Sequence, residues 1–321
     1  MILTGDIGGT KTLLALHDDD GRITACARYR SRDAATFDML VARFLEEAAP
    51  ATPSLACFGV AGPVLGDRVK VTHLPWEIDA VALAARFGIA RVHLLNDFAA
   101  AAHGLGALAA CDLVTLQSGA PMASRPRVLI GAGTGLGLAY LLGDSVLSGE
   151  GGHMAFAPAD AEQAALWQWL NRRHGRVQVE HVVSGRGLAD IYAFMLERER
   201  GQAATAHDVF GADDPAAVVG RRAFDNGEAL ALAAVDVFIA CYGALAGDHA
   251  LAVLALGGVY LAGGIAPKLL PRLADGGFLQ AFNDKGPCSK WTRSCPVHVV
   301  TNPDLPLLGA ARFARCFADA G

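Results

Sequence analysis

MILTGDIGGTKTLLALHDDDG, residues 1–21, decides how the rest of the chain is read. Gly5, Lys11 and Thr12 fall in the register of the P-loop pattern G-x-x-x-x-G-K-[ST], but residue 10, which that pattern requires to be glycine, is threonine. A P-loop also leads from a strand into a helix. Here the loop leads into the apolar run Thr12–His17, which ends at Asp18-Asp19-Asp20-Gly21, and Asp-Gly marks a tight bend. The segment is therefore two strands joined by a glycine-rich turn. Gly8 and Gly9 let the backbone approach a phosphate and take φ values closed to other residues. Thr10 and Lys11 add a hydroxyl and a positive charge. Asp6 would repel a phosphate on its own, so its natural role beside one is to hold Mg2+, directly or through water.

The same plan recurs in VLIGAGTGLGLAYLLGDS, residues 128–145: strand, glycine-rich turn, strand, polar turn. Its tip carries Gly131, Gly133, Thr134, Gly135 and Gly137. It is not a dinucleotide fingerprint, because G-x-G-x-x-G started at Gly131 or Gly133 would need glycine at 136 or 138, and both are leucine. A third glycine turn, Gly263-Gly264 in VYLAGGIAPK, closes a later strand and leads into a helix. Between these landmarks the sequence predicts strands at 22–30, 54–60, 67–72, 91–95, 258–262 and 296–300. It predicts helices at 36–48, 78–87, from about 98, at 160–174, 184–200, within 214–256, within 267–283 and at 306–319. The first helix shows the reasoning: Phe37, Leu40, Val41, Phe44 and Leu45 recur at helical spacing. Two α/β halves, each opened by a glycine-tipped hairpin and facing each other across a cleft, would suit a phosphorylated ligand held from both sides. The predicted domains are 1–105 plus 301–321, with the first hairpin, and 106–300, with the second.

Composition narrows the class. A chain of 321 residues, 53% of them apolar, can build two cores. A net charge of -5 without a basic patch argues against nucleic acid as a partner. The N-terminus enters an apolar strand holding Asp6, with no basic leader before it, so no signal peptide is expected. Ala229–Leu256 is the most membrane-like run, but Asp236, Asp248 and His249 interrupt it, and it reads as a buried helix. Seven cysteines, an odd number without C-x-x-C pairs, predict reduced thiols in a cytoplasm.

The polar residues that stand out lie in three segments. LLNDFAA puts Asn96 and Asp97 at the C-terminal end of a buried strand, the edge where open α/β sheets bind ligands. Asp97 can equally serve as a helix N-cap there. SGEGGHMAFAP sets Glu150 and His153 three residues apart in glycine-rich backbone, where their side chains can converge. VEHVVSGRGL places Glu180 just ahead of a helix starting near Ser184. His153 as a zinc ligand lacks the usual cysteine partners. Carboxylates, an amide and an imidazole in glycine-rich loops are what a polyhydroxyl ligand needs, since each hydroxyl donates one hydrogen bond and accepts others.

Taken together, GDIGGTKT, LLNDF, GAGTGLGLAYL, SGEGGHMAFAP, EHVVSGRGL, LAGGIAPK and NPDLPLLGAARF resemble the bacterial glucokinases of the hexokinase–actin-like ATPase superfamily, in order and over nearly the whole chain. The resemblance implies an actin-like ATPase (ribonuclease H-like) α/β fold and phosphorylation of glucose by Mg-ATP. It implies Asp97 as general base and Asn96, Glu150, His153 and Glu180 as contacts of the sugar hydroxyls. It makes Asp6, Gly8, Gly9, Thr10 and Lys11 the first phosphate loop and Gly133, Thr134 and Gly135 the second, with Gly263 and Gly264 near the adenosine. It also implies a cytoplasmic homodimer. The alternatives are a kinase for mannose or an N-acyl hexosamine, and a sugar-responsive regulator on the same scaffold. One departure concerns the sugar: His73 follows Thr72 where the family often has asparagine.

Overall fold

The computed structural model describes residues 1–48, 52–72, 74–201, 207–212 and 214–316, so His73 lies outside the described residues. The chain divides into two compact units. The first comprises Met1–Ala110, Val146–Ser148 and the residues from Asn302 on; the second comprises Cys111–Ser145 and Gly149–Thr301.

The first unit opens with β1 (Ile2–Ile7), β2 (Lys11–His17) and β3 (Ile23–Arg30), followed by α1 (Phe37–Glu47) and β4 (Leu55–Val60). Then come three short strands, β5 (Val64–Leu65), β6 (Arg68–Lys70) and β7 (Glu77–Asp79), and α2 (Ala80–Phe87), β8 (Arg91–Asn96) and α3 (Asp97–Gly104). Its main sheet is ordered β3-β2-β1-β4-β8. The two hairpins are antiparallel, whereas β1, β4 and β8 run parallel. The covered strands are mostly apolar, as Leu3, Ile7, Leu14, Phe58 and Val60 show. Helix α1 lays the predicted Phe37, Leu40, Val41 and Phe44 onto that sheet. The Phe37 and Phe58 rings meet edge to face at 5.0 Å.

Ile78 and Asp79, expected as the start of a helix over 78–87, are instead part of β7, which pairs with β6. The helix begins only after Asp79, whose carboxylate accepts from the Ala82 amide at 3.0 Å as an N-cap. The strand expected over 67–72 shortens to β6 and joins this small three-stranded sheet.

The second unit's sheet begins with β9 (Leu113–Gln117), β10 (Arg127–Ala132), β11 (Leu136–Leu142) and β12 (Ser145–Gly149), of which Val146–Ser148 group with the first unit. Helices α4 (Ala161–His174), α5 (Gly185–Arg200), α6 (His207–Phe210), α7 (Pro215–Phe224) and α8 (Ala229–Val253) follow. Then come β13 (Gly258–Ala262), α9 (Leu270–Ala274), α10 (Gly277–Asn283), α11 (Ser289–Ser294) and β14 (Val297–Val300). The sheet order is β12-β11-β10-β13-β14-β9. Its first five strands repeat the first unit's topology: two antiparallel hairpins, then parallel additions on the far side of the opening strand. The duplicated plan read in the sequence is thus a duplicated strand order.

The long apolar helix α8 is a core element whose two acids, on its exposed side, are paired with basic side chains. Phe238, Ile239 and Tyr242 are buried, Asp236 receives the Arg272 guanidinium at 2.7 Å, and Asp248 meets Lys285 at 2.7 Å. His249 shares a 2.7 Å hydrogen bond with the Tyr140 hydroxyl.

The chain finally returns to the first unit as α12 (Leu305–Cys316). This helix and α3 approach closely because both present glycine. A Cβ at Gly309 would sit 2.5 Å from the Gly104 amide nitrogen and 2.9 Å from the Ala100 carbonyl carbon. A Cβ at Gly104 would meet Leu305 Cδ1 at 2.8 Å. Ala310 and Ala314 pack against Ile2 and Cys57 beneath the sheet.

Candidate active site

In the first unit the parallel strands β1, β4 and β8 end together at Ile7, Val60 and Asn96. In that register Asp6 lies beside Gly59, and Gly59 beside Leu95. Gly59 is the spacer: a Cβ there would meet Ala100 Cβ at 2.9 Å and the Cα of Asp97 at 3.4 Å. Asp6 and Asp97 therefore occupy the C-terminal edge of the same three strands, where such sheets bind ligands.

The helix cap is Asn96, not Asp97. Asn96 Oδ1 accepts from the amides of Phe98 at 3.0 Å and Ala99 at 3.2 Å. Asp97 is the first helical residue, partly buried, with its carboxylate at the positive end of α3. Asn96 keeps its Nδ2 as a donor, directed at the Gly62 carbonyl at 3.5 Å.

The first glycine hairpin is closed by Gly8 N–H donating to Lys11 O at 3.0 Å. Ser31 buttresses it, donating its hydroxyl to Gly8 O at 2.7 Å and contacting Thr12 Oγ1 at 3.0 Å. Thr10 and Lys11 are exposed at the tip. Contrary to the sequence expectation, neither Gly8 nor Gly9 has positive φ, so their value is the missing Cβ rather than a left-handed backbone. Burial pushes the Asp6 carboxyl above its ordinary value, and the Lys11 charge partly offsets this. A carboxylate held at such a cost gains from a cation. Among the described residues no group of three His, Cys, Asp or Glu could form a dedicated metal cage. A lone carboxylate suits Mg2+, which takes one or two protein ligands and completes its shell with water and phosphate oxygens.

The second unit gathers the other predicted residues. The second hairpin tip, Gly133-Thr134-Gly135, is closed by Gly133 N–H donating to Gly135 O at 2.9 Å. Its Gly133 carbonyl accepts from the Gly185 amide at 2.8 Å, which ties the tip to the start of α5. Ser184 caps that helix, accepting from Gly187 N at 3.0 Å and donating to the Glu180 carbonyl at 2.6 Å.

An antiparallel bridge between Ala155 and Gln178 then sets the register that brings residue 153 opposite residue 180. Amides of Phe156 and Val179 donate to Val177 and Met154 carbonyls across it, at 3.1 and 2.9 Å. As a result His153 Nδ1 lies 3.5 Å from Glu180 Oε1, and His153 Nε2 lies 3.8 Å from Glu150 Oε2. Glu180 is the most sheltered of the three, its side chain 28% exposed against 52% for His153 and 74% for Glu150. Its Oε2 lies against Gly135 and Gly152: a Cβ at either position would come within 3.1 and 3.3 Å of it. Glu150, His153, Glu180 and the second glycine hairpin thus form one continuous surface of the second unit.

Gly263 closes the same neighbourhood. Its φ of 82° is left-handed, and a Cβ there would reach 3.0 Å from the Ala132 carbonyl carbon. The turn leaves the Ile265 amide donating to Ala132 O at 3.3 Å. Beside it lies a cavity of about 220 Å³, lined by Leu188, Ala216, Gly220, Phe224 and Ile265, with Lys268 at the rim. Lys268 is paired with Asp214 at 2.9 Å. The α7 residues of this cavity escaped the sequence reading, because PAAVVGRRAF carries only an ordinary amphipathic pattern. Gln178, whose side chain holds His153, escaped it too.

These features match known proteins. A profile of the glucokinase family matches residues 3–316. The chain is 39% identical to a glucokinase of Nostoc punctiforme, over 97% of this chain and 98% of the relative. A glucokinase structure from an Antarctic psychrotroph superposes with a TM-score of 0.85 at 31% identity, covering 98% of both chains. A ROK family glucokinase of Streptomyces griseus, solved with glucose and AMPPNP, shares the fold with a TM-score of 0.66 at 21% identity, covering 98% of this chain and 99% of that one. A duplicated sheet topology, two glycine hairpins and relatives matched along their whole length make this chain a member of the glucokinase family.

Proposed function

We propose that this protein transfers the γ-phosphoryl group of ATP to the 6-hydroxyl of glucose. Asp97, at the strand edge and the positive end of α3, orients that hydroxyl and accepts its proton as the oxygen attacks. Asn96 Nδ2, Glu150, His153 and Glu180 hold the remaining hydroxyls. The Gly8–Lys11 and Gly133–Gly135 hairpins supply backbone amides and one ammonium to the phosphates. Gly263, Gly264 and the cavity beside Ile265 take the adenosine. Asp6 holds Mg2+, which when bound offsets charge on the β- and γ-phosphates. On this reading the enzyme is a cytoplasmic homodimer, in keeping with seven free cysteines.

The observation that carries the proposal is the cluster of Glu150, His153 and Glu180 set against Gly135. Two carboxylates and an imidazole, the groups a polyhydroxyl ligand needs, lie beside a glycine hairpin, and this supports the reading. An ATPase without a sugar acceptor has no use for that cluster. The test is ADP release measured with and without glucose, then across mannose, N-acyl hexosamines and a polyphosphate donor. Glucose-dependent ADP release, with glucose giving the highest kcat/KM, supports the proposal. ADP release indifferent to every sugar overturns it, and a preference for another hexose reassigns the acceptor.

A further inference from the structure

We propose that Gln178 positions His153 for the sugar by fixing which ring nitrogen carries the proton: Nδ1–H faces Gln178, and Nε2 is left as the acceptor for a hexose hydroxyl. The inference rests on the reading of His153 as a sugar contact.

Gln178 stands between two imidazoles and treats them oppositely. Its backbone N–H donates to Nδ1 of His181 at 3.2 Å. Its side-chain Oε1 lies 2.8 Å from Nδ1 of His153. An amide oxygen can only accept, so this contact requires the proton on Nδ1. Because a neutral imidazole has one donor and one acceptor, Nε2 must then be bare. Nε2 is the nitrogen on the Glu150 side of the ring, 3.8 Å from Oε2.

The arrangement also protects Glu180. That carboxylate is 3.5 Å from the same Nδ1, too long for a good hydrogen bond, and Gln178 at 2.8 Å is the acceptor that the ring uses. Gln178 occupies Nδ1–H, so the Glu180 oxygens remain available to the ligand. The bridge at Ala155 and Gln178 holds this register, and Arg176 Nη2 adds a contact to the His153 carbonyl at 3.3 Å.

The surrounding charges agree. The Gln178 hydrogen bond, then Glu180 and Glu150, hold the His153 imidazolium above its ordinary value, against partial burial and the Arg176 charge. His181 is pushed the other way by burial and by His174, stacked on it at 4.1 Å, with Arg186 adding to this and Glu180 opposing it. His153 is therefore the ring that charges first as pH falls. Charging it places a proton on Nε2 and removes the acceptor, so glucose KM rises as pH drops through the His153 pKa.

The test uses the full-length enzyme labelled with 15N-histidine, with His153→Gln identifying the His153 signals. At alkaline pH, two-bond 15N–1H spectra of the parent should show the Nδ1–H tautomer. Gln178→Leu should switch it toward Nε2–H and raise glucose KM about three- to tenfold with little change in kcat. It should also move the low-pH rise in KM to lower pH. Gln178→Glu keeps an acceptor, so it should restore the Nδ1–H tautomer and move that rise to higher pH. An Nε2–H tautomer in the parent overturns the inference, as does a Gln178→Leu protein with unchanged tautomer or unchanged glucose KM. Saturating glucose that leaves the parent's His153 signals unmoved overturns the sugar role of His153 itself.

Discussion

Replacing Gly309 with alanine should damage catalysis from a position with no role in chemistry. The new Cβ would stand 2.5 Å from the Gly104 amide nitrogen and 2.9 Å from the Ala100 carbonyl carbon. The Ala100 carbonyl oxygen would be closer still, and since ordinary contacts lie near 3.5 Å, α3 and α12 must separate by at least about 1 Å. The atoms that yield belong to backbone, which cannot swing aside as a flexible side chain would. Overpacking of this kind costs about 1–3 kcal/mol. Ala100 lies three residues after Asp97 on α3, so a shift of that helix carries the proposed base with it. A 1 Å misplacement of a reacting group can cost about 10²-fold in rate. The measurement pairs a urea melt with glucose-dependent kcat, using Gly277→Ala as control, since a Cβ at Gly277 meets nothing within 4 Å. The control should match the parent. Parental stability in Gly309→Ala would refute the close helix approach, and lost stability with parental kcat would refute the link from that approach to Asp97.

Asp97→Asn keeps the shape of the side chain but not its basicity, and Asn96 already provides the cap. It should lower kcat by about 10²–10⁴-fold with unchanged melting and glucose binding; a kcat within tenfold of the parent would rule out Asp97 as the base. Glu180→Ala removes a charged hydrogen-bond partner worth about 1.5–3 kcal/mol and should raise glucose KM at least tenfold while ATP KM holds. Steady-state kinetics in both substrates decides this, and parental glucose kinetics would remove Glu180 from the site. Asp6→Asn should stabilise the Mg-free protein at neutral pH while lowering kcat on the order of 10²-fold. Burial raises the folded carboxyl above its ordinary value of 3.8, so the charged form is destabilising at higher pH and relieved as pH falls through the folded value. The gain in Tm should accordingly shrink toward acid pH. A lower Tm for Asp6→Asn at pH 7 would contradict the buried-carboxylate account.

What was legible in the sequence was whatever local pattern dictates. The glycine hairpins announced themselves because an apolar run broken by Gly8-Gly9 or Gly133-Thr134-Gly135 and resumed at once leaves little choice but two strands. Repetition of that pattern carried over into a repeated strand order. Four strands were missed or misread because they are short: Val64–Leu65, Glu77–Asp79, Leu113–Gln117 and Ser145–Gly149. Their pairing partners, not their own composition, make them strands. The helix cap that the sequence offered to Asp97 falls one position earlier, on Asn96, a difference that only backbone geometry fixes. Gln178 and Gly59 were invisible for a further reason. Each acts through a neighbour distant in sequence, Gln178 across a bridge to 155 and Gly59 as the gap that lets α3 settle on β4.

Helix α12 gives the first unit an unusual birth order. Its strands and α3 lie within the first 110 residues, but the helix that covers Ile2, Cys57 and the Gly104 face is read out last, after the entire second unit. At roughly 5–20 residues per second, translating the intervening stretch of about 190 residues takes on the order of 10–40 s. The second unit's sheet is complete once β14 has been made, before α12 is read out, whereas the first unit waits through the whole interval with an apolar seam open to solvent. The half of the enzyme that carries Asp97 is therefore completed last on the ribosome, and a nascent chain stalled before Gly309 would expose the surface a chaperone recognises.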